Sequence, residues 1–241
     1  MRLLDLFSGA GGAAVGYHRA GFDEIIGVDI EPQPNYPFTF VQADAFDVLA
    51  TWDLSEFDMI HASPPCQRWS ASTRDPEKHP DLIAPTRQAL IALGVPYVIE
   101  NVERAPLIGY LRLCGSMFGL QVRRHRYFEL SFPAMSPACN HREWTAGRPW
   151  SVIGHLSNKD QKHQHSFKPS FEQGRRLMEM PWAKTVHELV EAIPAAYTEF
   201  IGEQFKASRS AIRGDAGAGT GTSPRLATRP GIRGPLSNGR R

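Results

Sequence analysis

The residues most able to do chemistry lie in the run Ser63-Pro64-Pro65-Cys66-Gln67, which follows an apolar stretch at 57–61. Two consecutive prolines fix φ and hold the residues before them extended. A cysteine after so stiff a segment, at a strand end, is presented to a cleft. As a thiolate it is a strong nucleophile, partly available near neutral pH. As a thiol it is a small apolar side chain of the kind that is usually buried. The residues alone leave both readings open.

A second constellation is Asp5-Leu6-Phe7-Ser8-Gly9-Ala10-Gly11-Gly12. It stands between a short apolar strand at 3–7 and a helical stretch at 13–20 closed by Gly21. Glycines let a backbone turn tightly and approach a ligand closely. Asp29 ends the next strand, roughly 20 residues beyond the loop, where an acid suits a ribose diol. No Gly-Lys-Ser/Thr follows, so this is not a P-loop. Asp5 at the loop entrance would repel phosphates, which favours a cofactor such as S-adenosylmethionine over a dinucleotide. A plain tight turn is the alternative.

The elements that must position these groups alternate. Strands are expected at 3–7, 24–29, 40–42, 57–61 and 97–100, with helices at 13–20 and 81–93, the latter stopped by Gly94. This alternation predicts an α/β fold, a mostly parallel sheet with helices on both faces. Ligands of such sheets sit at the carboxyl ends of the strands. The polar, Gly and Pro residues fall just after four of them. Helical stretches at 186–193 and 195–205 are expected to return to the sheet. Residues 131–178 are rich in Pro, His, Arg and Trp without a period and read as an irregular insert. Residues 207–241 lack large apolar side chains and read as a disordered tail.

Composition bounds the class. The chain has 241 residues, enough to bury a core without disulfide staples. Its three cysteines, widely spaced, argue against a disulfide framework and suit a reducing, cytoplasmic setting. The N-terminus reaches a charge at Arg2, too soon for a signal peptide, and no apolar run is long enough for a membrane span. The net charge of +2 is uneven: residues 207–241 hold seven arginines and one acid, 7 − 1 = +6, which leaves 2 − 6 = −4 for the rest.

Taken in order, these motifs resemble the DNA cytosine-5 methyltransferase family. They are the glycine loop, Ser63-Pro64-Pro65-Cys66-Gln67, Glu100-Asn101-Val102, and Arg123-Arg124-His125-Arg126-Tyr127-Phe128. The likeness is dense over residues 1–130 and returns faintly at 189–202. It implies a Rossmann-like S-adenosylmethionine-dependent fold and methyl transfer to carbon 5 of cytosine in DNA. It implies that Cys66 adds to carbon 6 of the ring, so that carbon 5 can take the methyl group. Glu100 would act at the ring nitrogen and exocyclic amine. Arg124, with Arg126 on the same strand face, would assist Cys66 and the substrate, while Asn101 orients the loop. Cofactor contacts carried over are Asp5, Phe7, Ser8, Gly9, Gly11, Asp29, Ile30, Asp44, Ala45 and Pro64. Asp44 could equally be a helix cap, Glu100 a carboxylate paired with an arginine, and the arginines phosphate contacts.

Two departures from the family pattern stand out. Val122 occupies the place of the glutamine that usually precedes the arginines, and no Gly-Asn pair precedes Ala192-Ile193-Pro194-Ala195-Ala196. The insert is short, and Arg142, Trp144, Arg148, Trp150, Lys159, Lys162 and Lys168 are its candidate DNA contacts. Its Cys139, His141, His155, His163 and His165 match no standard zinc spacing, so no metal is expected. The expected partner is double-stranded DNA with a flipped target base, bound by a monomer, with the basic tail adding salt-sensitive attraction. Action on free or single-stranded cytosine nucleotides, action on RNA, and a catalytically inactive DNA-binding homologue remain as alternatives.

Overall fold

The computed structural model describes residues 1–141, 152 and 169–217. Its first half alternates as expected: β1 (Arg2–Leu6), α1 (Gly12–Arg19), β2 (Glu24–Asp29), β3 (Thr39–Gln42), α2 (Ala45–Thr51), β4 (Met59–Ala62), α3 (Ile83–Leu93) and β5 (Tyr97–Asn101). Then come β6 (Leu111–Leu113), β7 (Arg126–Leu130), α4 (Phe171–Leu177), α5 (Val186–Glu191) and α6 (Ala195–Gly217). The strands form one sheet in the order β3-β2-β1-β4-β5-β7-β6. The first five are parallel, and β7 runs antiparallel to both β5 and β6. The chain reverses its winding between β1 and β4, and their carboxyl ends open the crevice where such sheets bind ligands.

Strand alternation builds the two core layers. Leu3, Met59, Val98 and Phe128 point to one face and pack with Tyr17 of α1, Phe22 of the segment after it, and Tyr197, Ile201 and Phe205 of α6. Leu4, Leu6, Ile60 and Ile99 point to the other and meet Val48, Leu49 and Leu90 from α2 and α3. Each such side chain, once buried, contributes roughly 1.5–3 kcal/mol. The helices start and stop on local signals. Asp44 caps α2 by accepting from the Phe46 amide, and Gly94 closes α3 at φ +69°. Ser170 and Thr185 open α4 and α5 with capping boxes. α6 lies so close to α1 that a Cβ on Gly16 would sit 2.0 Å from the Ala195 carbonyl oxygen.

Three expectations change. α2 and the antiparallel β6–β7 edge are additional elements. α4 is regular structure inside the stretch read as irregular, since Ser170 to Gln173 caps it and Met178 and Leu189 bury its inner side. Finally, α6 continues through Gly217, past the expected start of a disordered tail at 207. Composition pointed to disorder there, but Ala207 to Ile212 contain no helix breaker. Arg209 pairs with Asp58 and lies over the Phe205 ring, 5.5 Å from its centroid. The rest of the basic tail lies outside the described residues. No described helix is long and apolar enough to cross a membrane.

Candidate active site

The carboxyl ends of β1, β2, β4 and β5 border a cleft of about 600 Å³. Its walls include Phe7, Ser8, Gly9, Asp29, Ile30, Pro64, Cys66, Glu100 and Arg126. The motifs 20 to 100 residues apart in the chain therefore meet in one place. Asp5, Gly11, Asp44, Ala45 and Arg124 do not line it.

The glycine loop is shaped by backbone strain and held by polar contacts. Phe7 has φ +56°, a left-handed conformation that costs a non-glycine residue roughly 1–2 kcal/mol. It turns the chain out of β1 while its ring stays edge-on to Phe46. Gly9 and Gly11 follow at φ +48° and +82°. A Cβ on Gly11 would lie 2.6 Å from the Pro37 ring, so both conformation and space require glycine. Asp29 organises the turn: one carboxylate oxygen accepts the Gly9 amide at 2.9 Å and the other the Glu31 amide at 3.0 Å. Trp182 donates its indole N–H to the Ala10 carbonyl at 2.7 Å. That contact joins the loop to the C-terminal return, where Ala192 and Ile193 line the cleft despite the missing Gly-Asn.

Asp5 behaves differently from its reading in the sequence. It is buried beneath the loop, accepts a hydrogen bond from Tyr36 Oη at 2.9 Å, and has its pKa pushed up to about 8 by burial. A carboxyl that keeps its proton near neutral pH repels phosphate weakly, so the charge argument against a dinucleotide loses force. Asp44 is the cap of α2, its side chain accepting the Phe46 amide at 2.7 Å. Ala45 is buried in the core beside it.

On the opposite wall, Cys66 is half-buried at the end of the Pro-Pro segment. The segment is pinned by Asn101, whose Nδ2 donates to the Pro64 carbonyl at 2.8 Å while its Oδ1 accepts the Val102 amide at 2.9 Å. His61 adds a second support from β4. Tyr17 Oη meets its Nδ1 at 2.9 Å and its Nε2 meets Ser63 Oγ at 2.8 Å. Burial drives the pKa of His61 down to about 3, so it is a neutral link and not a cation. Asn101 was expected to orient this loop, whereas the support from His61 and Tyr17 was not visible in the sequence, because it joins segments 44 positions apart.

Burial raises the Cys66 thiol above its ordinary value, reinforced by the negative charges of Glu100 and Glu191 and opposed by Arg126 and Arg124. These influences work against the partly available thiolate expected from the sequence. Glu100 is buried and also raised, chiefly by desolvation and against the pull of the two arginines. Arg126 Nε stands 3.0 Å from Glu100 Oε1. The approach lies off the N–H direction, so Oε1 has an ion-pair partner but no hydrogen-bond donor among the described residues.

The ranking of the two arginines reverses. Arg126 reaches the cleft, whereas Arg124 is buried and donates to the Val152 and Val190 carbonyls. Desolvation lowers the pKa of Arg124 to about 9. It lies ahead of β7, which starts at Arg126, and its guanidinium ties that strand to the last turn of α5. Glu31, Thr185, His187, Glu188 and Glu191 complete the cleft wall and were not anticipated. Glu188 carries a hint of its own, being the third helical residue of the Thr185 capping box. Of the proposed insert contacts, Arg142 to Lys168 lie outside the described residues, as do His155, His163 and His165. Cys139 and His141 are described, and they sit beside Cys114 and His125.

Known proteins match this arrangement in sequence and in shape. The family model of C-5 cytosine-specific DNA methylase covers residues 1–92. Type II methyltransferase M.HgiGI of Herpetosiphon aurantiacus is 31% identical over 122 residues, 44% of this chain and 94% of that protein. M.FnuDI of Fusobacterium nucleatum is 37% identical over 76 residues, and M1.HphI of Haemophilus parahaemolyticus is 31% identical over 122. The chain spans 22% and 32% of the lengths of these last two. Among solved structures, S. pombe Dnmt2 methyltransferase superposes with a TM-score of 0.55 at 14% identity, covering 86% of this chain and 98% of that one. A prophage-encoded E. coli protein described as a DNA modification methyltransferase gives 0.59 at 14%, covering 87% and 99%. These two likenesses establish the Rossmann-like methyltransferase fold, and the near-complete span of M.HgiGI establishes the family: the chain belongs to the C-5 cytosine-specific DNA methylases.

Proposed function

We propose that the protein methylates carbon 5 of cytosine in DNA, with Cys66 as nucleophile. The observation that carries this reading is the meeting of Cys66, Glu100 and Arg126 on one wall of a cleft whose other wall is the glycine loop. The residues fit S-adenosylmethionine. Asp29 uses one lone pair on each oxygen for the loop and keeps others for a ribose diol. Ile30 is 62% exposed at the cleft rim, an apolar surface for an adenine. Phe7, Ser8, Gly9 and Pro64 line the remainder. The cofactor supplies an electrophilic methyl group when bound.

The chain's own groups do the rest. The Cys66 thiol gives its proton to solvent as its sulfur bonds to carbon 6 of a cytosine turned out of the duplex, and with a proton on the ring nitrogen this makes carbon 5 electron-rich. Glu100, whose carboxyl burial raises above its ordinary value, lends a proton to the ring nitrogen as the sulfur adds, and its Oε1 accepts from the exocyclic amine. Arg126 steadies that carboxyl. Loss of the carbon-5 proton lets the sulfur leave. Burial and the nearby carboxylates hold the Cys66 thiol up while Arg126 and Arg124 pull it down, so the thiol is activated by whatever tips that balance toward the arginines. Double-stranded DNA as substrate rests on the family; residues of the insert and the basic tail would supply phosphate contacts.

Duplex DNA carrying 5-fluorocytosine tests this reading, because fluorine cannot leave as a proton does. With S-adenosylmethionine present, a covalent protein–DNA adduct is expected, and Cys66→Ser should abolish it together with methyl transfer. Persistence of the adduct in that variant, or label entering dCMP but not duplex, would contradict it.

A further inference from the structure

Away from the cleft, four soft donor groups converge at the edge of the sheet. Cys114 follows β6 directly, His125 immediately precedes β7, and Cys139 and His141 lie in the segment leaving β7. One ligand atom from each lies within 4.8 Å of all the others, the one such group of three or more among the described residues. Cys139 Sγ is 3.0 Å from His141 Nε2 and 3.5 Å from His125 Nε2, and Cys114 Sγ is 3.3 Å from His141 Nε2. The two imidazoles face each other with centroids 5.0 Å apart. The four donors present only sulfur and nitrogen.

A tetrahedral zinc ion, with bonds of about 2.3 Å to sulfur and 2.0–2.1 Å to nitrogen, separates its sulfur and nitrogen ligands by roughly 3.6 Å. The three sulfur–nitrogen distances of 3.0, 3.3 and 3.5 Å are those of such a tetrahedron slightly collapsed. Thiols and neutral imidazoles make weak hydrogen bonds with each other. Weak bonds alone explain poorly why two of each should meet at one point. The Cys114 sulfur is buried and Ser116 Oγ stands 3.6 Å from Cys139 Sγ, a second-layer contact of the kind that orients a ligating sulfur.

We propose that Cys114, His125, Cys139 and His141 hold a structural zinc ion. Two thiolates, two imidazoles and the dication make a neutral unit, and four protein ligands leave no position open for chemistry. The ion would clamp one end of the β6–β7 edge, where Cys114 and His125 are neighbours, to the segment that follows β7, one residue from Arg124 and Arg126. It would thus set where the insert begins relative to the cleft. Sequence spacing concealed the site. Two of its ligands lie outside the insert, and only the β6–β7 pairing, with Leu113 opposite Arg126, brings Cys114 and His125 together. This inference is independent of the methylation reading.

The test is metal content of the full chain, produced in zinc-supplemented medium and purified without chelator. About one zinc per chain is expected by plasma mass spectrometry. It should be retained in Cys66→Ser and lost in Cys139→Ser and in His141→Ala. Cys114 is buried and its variants could misfold, so cobalt substitution of the unmodified chain provides a second measurement. A tetrahedral d–d spectrum with thiolate-to-cobalt charge transfer is expected, and a chelator should lower the melting temperature of the zinc form. A metal-free chain that takes up neither ion, a Cys114–Cys139 disulfide, or zinc that survives Cys139→Ser and His141→Ala would each overturn the proposal.

Discussion

The two walls of the cleft are built on different physics. The glycine-loop wall is a matter of backbone shape. Phe7, Gly9 and Gly11 hold left-handed conformations, and Asp29 and Trp182 lock them with hydrogen bonds to amides and a carbonyl. The cysteine wall is a matter of charge. Cys66, the buried Glu100 and Arg126 are set against one another, with the exposed Glu191 nearby, and Glu100 Oε1 has no hydrogen-bond donor among the described residues. A shape can be complete before a ligand arrives. A charge arrangement with an unpaired buried acceptor carries a desolvation cost that a donor from a substrate can relieve.

Changing Glu100 should separate the walls most sharply. In Glu100→Gln the proton at the ring nitrogen is lost, and methyl transfer should fall by roughly 10²- to 10⁴-fold. The same change leaves Arg126 without its ion-pair partner, which should also lower folding stability, by up to about 3–5 kcal/mol if the pair is fully formed. Cofactor affinity, which belongs to the other wall, should stay within a few-fold. Isothermal titration with S-adenosylmethionine beside a tritium-transfer assay reads both. A large loss of cofactor binding would show that the walls are not separate.

Asp5 gives the next largest effect, seen in stability. Its folded pKa of about 8 lies above the ordinary 3.8, so the native state binds the proton more tightly than the unfolded chain. The stability contributed by that proton is present in full below pH 3.8 and is lost as pH rises to about 8. Above that value this group adds no further slope. Asp5→Asn keeps an acceptor for Tyr36 and should flatten the decline, an effect on the order of several kcal/mol at the alkaline end. Urea unfolding from pH 5 to pH 9 checks it. Equal slopes in both proteins would mean that Asp5 is ionised in the fold.

The contrast between the walls also explains what could be read from the sequence. Shape leaves signatures in residue type: the loop glycines, the Pro-Pro turn before Cys66 and the alternation of Leu3 with Leu4 each follow from local rules. So the parallel sheet and the position of the cleft were legible. Asn101 as the support of the Cys66 loop was legible too, by resemblance. What escaped depends on contacts between distant segments. Arg124 and Arg126 have the same side chain and neighbouring positions, yet one is spent on the Val152 and Val190 carbonyls and the other faces Glu100. Asp44 reads equally well as a ligand or a cap, and its contact to Phe46 is a cap. His61, Trp182 and Glu191 belong to no local pattern, and Tyr36 takes its role from a hydrogen bond across 31 positions.

The smallest expected effect probes the charge wall directly. Alkylation by iodoacetamide follows the thiolate fraction, so a raised thiol should react slowly at pH 7.5 and accelerate nearly tenfold per pH unit without a plateau through pH 9. Burial is the leading cause of the raised value, Glu100 the next and Glu191 the third. Glu191→Gln removes only that third contribution, so Cys66 should be modified about 2- to 5-fold faster at a given pH. Mass spectrometry of the peptide carrying Cys66 follows the rate without interference from Cys114 and Cys139. A profile that levels off near pH 7 would mean that Arg126 and Arg124 outweigh burial and the two carboxylates. The thiolate would then exist in the resting protein, and the cysteine wall would be as complete before substrate as the glycine loop.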